Sequence, residues 1–286
     1  MTIHSINTGN FKLDGGAMFG VVPKSIWNRT NPADSNNLCD WAMRSLIIEQ
    51  DNRLILIDTG IGDKQEDKFF SHFHLSETDL FEQKLNNLGY SKSDITDVFL
   101  THLHFDHCGG AIQWNKARTG YEPAFRNAIY WSNEQHWEWA TKPNPREKAS
   151  FLRENILPIQ ESGQLQFIER TTGSVASQIF SGIDALFVDG HTESMMLPKI
   201  SYKGKTLVFM ADLLPSVGHL PLPYIMGYDT RPLITLTEKE KFLDEAVKNN
   251  YILFFEHDRV NECCTVKPTE KGVRMDQTFR LEDFFN

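Results

Sequence analysis

The feature that most constrains this chain is a run of three histidines and one aspartate within six residues, from His102 to His107. Imidazole nitrogens and carboxylate oxygens are the ligands that suit zinc and neighbouring metals. Side chains two residues apart share one face of an extended chain, so His102 and His104 are predicted to point to the same side. A turn that begins at Phe105 would direct Asp106 and His107 towards a neighbouring point. The run is therefore predicted to serve two metal ions.

A structural role for these residues has to be weighed first. A single histidine in an apolar setting is usually a hydrogen-bonded core or surface residue, but four desolvated polar groups together are costly unless something binds them. The run follows the apolar segment 98–100, which is typical of a strand. It is not the H-E-x-x-H pattern, in which two histidines lie four residues apart on a helix. The spacing therefore favours metal ligands delivered by the end of a strand.

Further ligands are predicted elsewhere, because four residues cannot close two metal sites. Three later apolar runs each lead to a candidate ligand, and these candidates are His191, Asp212 and His257. His219 is an alternative to His257, but it lies in a loop rich in proline and glycine, which fits a pocket wall better than a strand end. Asp58 directly follows another apolar run, 54–57.

With these residues the chain resembles the metallo-β-lactamase superfamily. The H-x-H-x-D-H motif of that superfamily is matched by His102, His104, Asp106 and His107. Its later ligands are matched in order by His191, Asp212 and His257, and its early strand-end aspartate by Asp58. The similarity runs from about residue 40 to residue 260 and includes every ligand position.

The resemblance implies two metal ions, which we expect to be Zn²⁺, with Mn, Fe or Co as alternatives that the same ligand types permit. By this analogy the first ion would be held by His102, His104 and His191. The second would be held by Asp106, His107 and His257. Asp212 would bridge the two ions. Asp58 would orient a ligand histidine rather than contact metal, a role compatible with capping the turn that follows its strand.

The expected fold is α/β (α+β), a four-layer αββα sandwich of the metallo-β-lactamase type, and its layers are implied by the resemblance alone. Residues 1–286 are expected to form a single hydrolase domain, because no linker, repeat or low-complexity tract divides them. Apolar patterning predicts a hairpin with its turn at residues 51–52, and helices over 133–141 and 146–155. Thr237 and Glu240 have capping-box spacing, which predicts a helix that begins at Thr237.

Composition narrows the partners and the compartment. The net charge of −9 and the absence of a basic run argue against nucleic-acid binding. No apolar stretch is long enough to span a membrane, and the N-terminal residues do not read as a signal peptide. The four cysteines show no disulfide spacing, and Cys108 beside the ligands is expected to be a small buried thiol. We therefore expect a cytoplasmic protein, and the resemblance adds a possible homodimer.

The expected chemistry is hydrolysis by a metal-bridging hydroxide, because two such ions can lower the pKa of a shared water towards neutrality. Asp106 is the candidate proton shuttle to the leaving group. The sequence shows no convincing serine or cysteine triad. Hydrolysis of an ester, lactone, amide or phosphoester would fit this core.

Two loops point to a small hydrophobic lactone or ester as substrate. The glycine-rich segment 14–24 is similar to the N-terminal segment of the N-acyl homoserine lactonase branch, which includes the quorum-quenching lactonases of bacilli. The apolar loop 213–229 is similar to the matching stretch of that branch and of its phosphotriester-hydrolase relatives. The substrate-pocket candidates are Phe19, Val21, Val22, His219, Tyr224 and Tyr228.

One departure from the lactonase branch concerns substrate specificity. Well-studied lactonases carry a tyrosine three residues after the bridging aspartate, whereas this chain has Pro215, and Tyr224, Tyr228 and His219 are the candidate replacements. N-acyl homoserine lactones are the first expected substrates, and phosphotriesters, as in methyl parathion hydrolase-like relatives, are the alternative. A non-catalytic metal-binding protein and a di-iron redox protein are the remaining alternatives.

Overall fold

The computed structural model describes residues 1–171 and 173–285. The chain divides into two compact units, and both are discontinuous in sequence. The first unit consists of residues 1–11 and 43–170, and the second consists of residues 12–42 and 171–286. Among the described residues, every helix is too short or too polar to cross a lipid bilayer.

The secondary structure alternates between strands and helices along the chain. The strands are β1 Thr2–Asp14, β2 Leu38–Gln50, β3 Arg53–Ile57, β4 Asp97–Phe99, β5 Ile112–Trp114, β6 Tyr121–Pro123, β7 Ile129–Ser132, β8 Leu165–Phe167, β9 Val175–Phe180, β10 Ile183–Val188, β11 Met195–Tyr202, β12 Lys205–Phe209, β13 Ile252–Phe254, β14 Cys263–Thr269 and β15 Gly272–Phe279. The α-helices are α1 Gly15–Phe19, α2 Lys24–Trp27, α3 Asp67–Phe70, α4 Phe81–Asn87, α5 Phe105–Cys108, α6 Glu134–Thr141, α7 Arg153–Glu161, α8 Pro232–Asn249 and α9 Leu281–Phe285.

The main sheet of the first unit has the strand order β1-β2-β3-β4-β7-β8. Strands β3, β4, β7 and β8 are parallel to one another, so their carboxyl ends lie along one edge of the sheet. The hairpin β2–β3 turns through Asp51 and Asn52, both of which have positive φ, as a two-residue hairpin turn favours. Apolar side chains from β3, β4, β7, α6 and α7 form the core of the first unit.

The second unit contains a sheet with the order β15-β14-β13-β12-β11-β10-β9. Strands β12 and β13 are parallel, and β10 runs in the same direction because β11 is antiparallel to both β10 and β12. Three strands therefore send their carboxyl ends to the same edge. Phe209 and Phe254, the last residues of β12 and β13, are fully buried, with their ring centroids 5.4 Å apart.

The observed first residues of two helices, α7 and α8, differ from the predicted ones. The helix predicted over 146–155 is α7, which spans 153–161, because residues 145–150 form turns and Ser150 O accepts from Phe105 N instead of from a helical N–H. The helix predicted to begin at Thr237 is α8, which begins five residues earlier with Pro232 in its first turn. Proline suits that position because its missing N–H would have no helical partner there.

Candidate metal centre

The carboxyl ends of β3 and β4 bring Asp58 and Thr101 together. Ile57 pairs with Phe99, and Asp58 N donates to Phe99 O at 2.9 Å, so the two strands leave the sheet side by side. The Asp58 carboxylate then accepts from Thr101 N at 2.8 Å and from Thr101 Oγ1 at 2.6 Å. Asp58 has a φ of 54°, a left-handed conformation that is uncommon outside glycine and that aspartate adopts more readily than most residues.

Asp58 also orients two of the predicted ligand histidines. His107 Nδ1 lies 3.0 Å from Asp58 Oδ2, where a ring N–H can donate to the carboxylate. The Thr101 hydroxyl hydrogen points to Asp58, so its oxygen is left to accept from His102 Nδ1 at 3.1 Å. In both rings the Nδ1 atom therefore carries the hydrogen, and the Nε2 atom presents a lone pair.

His104 differs from His102 in the ring nitrogen that faces the cluster: it is Nδ1 in His104 and Nε2 in His102. His104 Nδ1 and His102 Nε2 are 3.0 Å apart, and His104 Nε2 lies 3.6 Å from a carboxylate oxygen of Glu147. Asp106 follows in α5, with its Oδ2 3.7 Å from His107 Nε2. All four residues of the motif are buried, so the first unit encloses a cluster of imidazole and carboxylate groups.

The backbone around this cluster is packed too closely for side chains. A Cβ on Gly109 would come within 2.1 Å of Ile61 O, and a Cβ on Gly110 within 2.2 Å of Thr59 O. In the same loop Thr59 N and Thr59 Oγ1 donate to His107 O at 2.8 and 3.0 Å. The two glycines that follow the motif thus allow the loop after β3 to lie directly against the ligand run.

The second unit gathers its three predicted ligands at the ends of β10, β12 and β13. His191 Nε2 lies 3.1 Å from Asp212 Oδ2, and His257 Nε2 lies 3.1 Å from Asp212 Oδ1. Each histidine meets a different oxygen of the same carboxylate. Ala211, which directly precedes Asp212, has a φ of 40°, so the chain bends sharply where β12 ends.

The outer nitrogens of these two histidines are also held. His257 Nδ1 donates to the carbonyl oxygen of Ala42 at 2.8 Å, and His191 Nδ1 lies 2.8 Å from Asp229 Oδ1. Burial alone would lower the pKa of His191, but Asp212 and Asp229 raise it to about 10. The pocket around this imidazole therefore strongly favours positive charge.

This donor set fits a metal cation. A carbonyl oxygen can only accept, so His257 Nδ1 must carry a hydrogen, and in the neutral ring Nε2 is then a lone pair. That lone pair faces a carboxylate oxygen, which is also an acceptor, and the contact is favourable only with a cation or a proton between the two atoms. Imidazole and carboxylate donors without thiolate suit Zn, Mn, Fe or Co. Cys108 is fully buried, burial raises its thiol pKa to about 12, and its Sγ donates to Leu103 O at 3.3 Å.

His219, the alternative to His257, has no lone pair available for a metal. Its Nε2 donates to Met18 O at 2.9 Å, which leaves Nδ1 to accept from the Ser216 hydroxyl at 2.8 Å. Its ring stacks on Phe19 at 4.4 Å between centroids, and Phe19 stacks in turn on Trp27 at 5.2 Å. Burial lowers the pKa of His219 to about 3, so the ring is neutral.

The predicted pocket residues of the second unit differ in exposure. Phe19 and His219 are buried in the aromatic stack, whereas Val21 is 94% exposed and Tyr228 is 41% exposed. Val22 and Tyr224 are half-buried, and Tyr224 meets Phe19 edge-on with the centroids 6.4 Å apart. Gly227 N donates to Ala17 O at 2.8 Å, so segment 14–24, which contains α1, lies against the loop 213–229.

No pattern in the sequence indicated three groups that face the predicted ligand histidines. Glu147 lies beside His104, Asp229 beside His191, and the Ala42 carbonyl beside His257. They lie 38 to 215 residues from their histidines in the chain, and no local pattern marks them. Thr101, which faces His102, is different, because it directly precedes the first histidine of the motif and its position in the sequence could have shown it.

Comparison with known proteins identifies the class. Residues 44–257 match the metallo-beta-lactamase superfamily, so the chain belongs to that superfamily. A probable metal-dependent hydrolase from Staphylococcus aureus has a similar structure, with a TM-score of 0.86, 29% identity, and coverage of 98% of this chain and 97% of that one. The predicted superfamily and fold are thereby confirmed, and the hydrolase class is supported.

Two further relatives are named as lactonases. An N-acyl homoserine lactonase from Bacillus cereus is 24% identical over 263 residues, which cover 87% of this chain and 93% of that protein. The dizinc quorum-quenching lactonase AidC, whose structure contains a product, has a TM-score of 0.76 and 22% identity, with coverage of 97% of this chain and 95% of that one. At this identity the AidC comparison supports the fold alone.

Proposed function

We propose that this protein is a dinuclear metal-dependent hydrolase that opens lactone or ester bonds, with N-acyl homoserine lactones as substrates. The observation that carries the proposal is the orientation of five buried histidines. Each has one ring nitrogen facing an oxygen, which favours hydrogen on that nitrogen and a lone pair on the other, where a cation can bind. This arrangement favours metal-dependent hydrolysis over catalysis by a side-chain nucleophile.

We propose that zinc is the metal. The first ion would be bound by His102, His104 and His191. The second would be bound by Asp106, His107 and His257. Asp212 would serve both ions, since its two oxygens each lie 3.1 Å from a different histidine. Bound there, the ions would lower the pKa of a water molecule to yield a nucleophile and would polarise the substrate carbonyl.

Asp106 has the clearest catalytic role among the residues of the chain. Its carboxylate lies on α5 at the motif, with little exposure to solvent, 3.7 Å from His107 Nε2. A carboxylate in that position can accept the proton of the attacking water and return it to the leaving alkoxide when the ring opens. His219 is neutral and engaged through both ring nitrogens, so we assign it no proton transfer.

The substrate class rests on the relatives and on the apolar loops. The similarity to the Bacillus cereus lactonase covers 93% of the length of that protein, which supports a small lactone as substrate. Val21 and Tyr228 present exposed apolar surface on segments that contact each other through Gly227 and Ala17, as an acyl chain would require. We further propose, from charge and resemblance, a cytoplasmic homodimer of single-domain subunits that binds neither nucleic acid nor membranes.

The test is a substrate panel with metal content measured on the same preparation. We expect ring opening of N-acyl homoserine lactones that chelation abolishes and added Zn²⁺ restores. Asp106→Asn should lower kcat by about 10²-fold or more, because proton transfer is lost. Asp63→Asn, an exposed aspartate of the same unit, is the matched control and should retain full activity.

The panel also separates the alternatives. Faster hydrolysis of a paraoxon-type ester than of any lactone would replace lactonase activity with phosphotriesterase activity. Full activity of Asp106→Asn in the presence of a chelator would exclude the metal mechanism. Bound metal without turnover of any ester, lactone or phosphotriester would favour a non-catalytic metal-binding protein.

A further inference from the structure

We infer that Glu147 is the positioning residue for His104, holding its ring so that Nδ1 presents a lone pair to metal. The inference rests on the proposed metal site and extends it to a residue that no sequence motif marks. Glu147 lies outside regular secondary structure, between α6 and α7. It is a buried carboxylate, 3% exposed, in a part of the chain that is otherwise irregular.

The Glu147 carboxylate is itself rigidly held. Its Oε2 accepts from Trp139 Nε1 and from Asn144 Nδ2, both at 2.6 Å. Its Oε1 lies 3.6 Å from His104 Nε2. Two short hydrogen bonds on one oxygen thus fix the direction in which the other oxygen points.

The same segment contacts the ligand run at two more places. Ser150 O accepts from Phe105 N at 3.0 Å, and the Phe151 ring lies 4.7 Å from the His104 ring. His104 is therefore bordered by a backbone contact at its neighbour, an aromatic ring and a carboxylate, all from residues 147–151. A segment that served only to connect two helices would not need a buried charge at this position.

The contact has a definite chemical consequence for the ring. An oxygen that can only accept favours the tautomer with hydrogen on Nε2, which leaves the lone pair on Nδ1, 3.0 Å from His102 Nε2. A separation of 3.6 Å is an ion-pair distance, longer than a hydrogen bond, so the carboxylate acts through its charge and the ring orientation that this charge favours. A negative group at this end also makes His104 a stronger donor to a cation at the other end.

Glu147→Gln tests the inference with little change in volume. Three N–H groups, on Trp139, Asn144 and His104, face the two oxygens of Glu147, but glutamine offers one oxygen and an NH₂ group. We expect the variant to fold and to bind Zn²⁺ about 10–100-fold more weakly in a chelator competition. We also expect an altered visible absorption spectrum after Co²⁺ substitution, which a merely structural role would not produce. Glu138→Gln, on an exposed glutamate of α6, removes the same charge and should match wild type.

The outcomes separate this inference from the proposed function. If wild type binds no divalent metal, both are wrong. If wild type binds metal and folded Glu147→Gln binds it equally well with the same Co²⁺ spectrum, only the role of Glu147 is excluded. Should Glu147→Gln fail to fold, Trp139→Phe keeps the carboxylate but removes one of its restraints. That variant should then bind Zn²⁺ several-fold more weakly, and unchanged affinity would overturn the inference.

Discussion

The proposed function of five histidines in this protein depends on the oxygen atom that faces one nitrogen of each ring. Asp58, acting directly and through Thr101, faces two of them, and Glu147, Asp229 and the Ala42 carbonyl face one each. A histidine with two free nitrogens could rotate or exchange tautomers, whereas one with a fixed N–H offers its lone pair in one direction. Which nitrogen a histidine can offer to a metal is thus a property of a pair of residues.

His219 shows the opposite case, and its burial predicts a pH dependence of stability. Burial lowers its pKa to about 3 in the folded state, against about 6.5 in an unfolded chain. Between these values the unfolded state binds the proton first, so stability is fully present above pH 6.5 and is lost as the pH falls. At pH 5 the loss should reach roughly 2 kcal/mol.

Urea unfolding at pH 7 and pH 5 checks this prediction. His219→Phe should be less stable at pH 7, because Ser216 and Met18 lose their partner, but it should lose less stability between the two pH values than wild type does. His72→Phe replaces an exposed histidine and should keep the wild-type pH dependence. Equal losses in wild type and His219→Phe would contradict the assigned pKa.

At the scale of elements, parallel strands explain why the ligands come from separate parts of the sequence. In the first unit the carboxyl ends of β3 and β4 deliver Asp58 and the histidine run, and in the second unit β10, β12 and β13 deliver the other three proposed ligands. Strand ends free the backbone from the ladder, so loops there can take left-handed conformations such as those of Asp58 and Ala211.

Helix α8 stabilises the apolar loop 213–229 through a buried lysine. Lys239 Nζ donates to Pro221 O and Tyr224 O, each at 2.9 Å, and burial lowers its pKa to about 7. Lys239→Met keeps the apolar part of the side chain but leaves both carbonyls without this donor. We expect a loss of about 1–3 kcal/mol in unfolding free energy.

Hydrogen exchange locates the effect. Amides of residues 222 and 224–227 should exchange faster in Lys239→Met, while those of β3 and β4 should exchange as in wild type. Lys241→Met, at an exposed position of the same helix, should leave exchange in the loop unchanged. Uniformly faster exchange throughout the chain would mean that Lys239 supports the core and not this loop.

At the scale of the whole molecule, metal should contribute a large share of the stability. The proposed sites place several carboxylates and imidazoles out of water, and a bound cation offsets that cost. With free Zn²⁺ at about 1,000 times its dissociation constant, binding to the folded state adds about 4 kcal/mol. Removal of metal should therefore lower Tm by on the order of 10 °C.

Calorimetry with and without chelator measures this change. Readdition of Zn²⁺ should restore the Tm of wild type, whereas His257→Ala should gain less from the metal because one ligand is missing. Identical melting of chelated and Zn²⁺-loaded wild type would contradict the proposed sites. The same experiment bears on the single-domain proposal, since a single domain should melt in one transition.

Local sequence carried the ligand types and much of the secondary structure, since spacing and hydrophobic period are local properties. It indicated the hairpin turn at Asp51 and Asn52, and it predicted over 133–141 the helix that is observed over 134–141. It placed the helix at 146–155 too early, because residues 147–151 are occupied by contacts to the ligand run that no helical period encodes. It gave no sign of β14 and β15, whose side chains are largely exposed and lack a clear apolar pattern.

By itself the sequence determined which residues are candidate metal ligands, because the H-x-H-x-D-H run and the later strand-end residues are few, polar and flanked by apolar strands. Only the tertiary structure decided which nitrogen of each histidine is available, since Glu147, Asp229 and the Ala42 carbonyl reach their partners through folding and not through spacing. The physical reason is that a ligand type is a property of one residue, whereas its orientation depends on an acceptor that the fold brings from elsewhere in the chain.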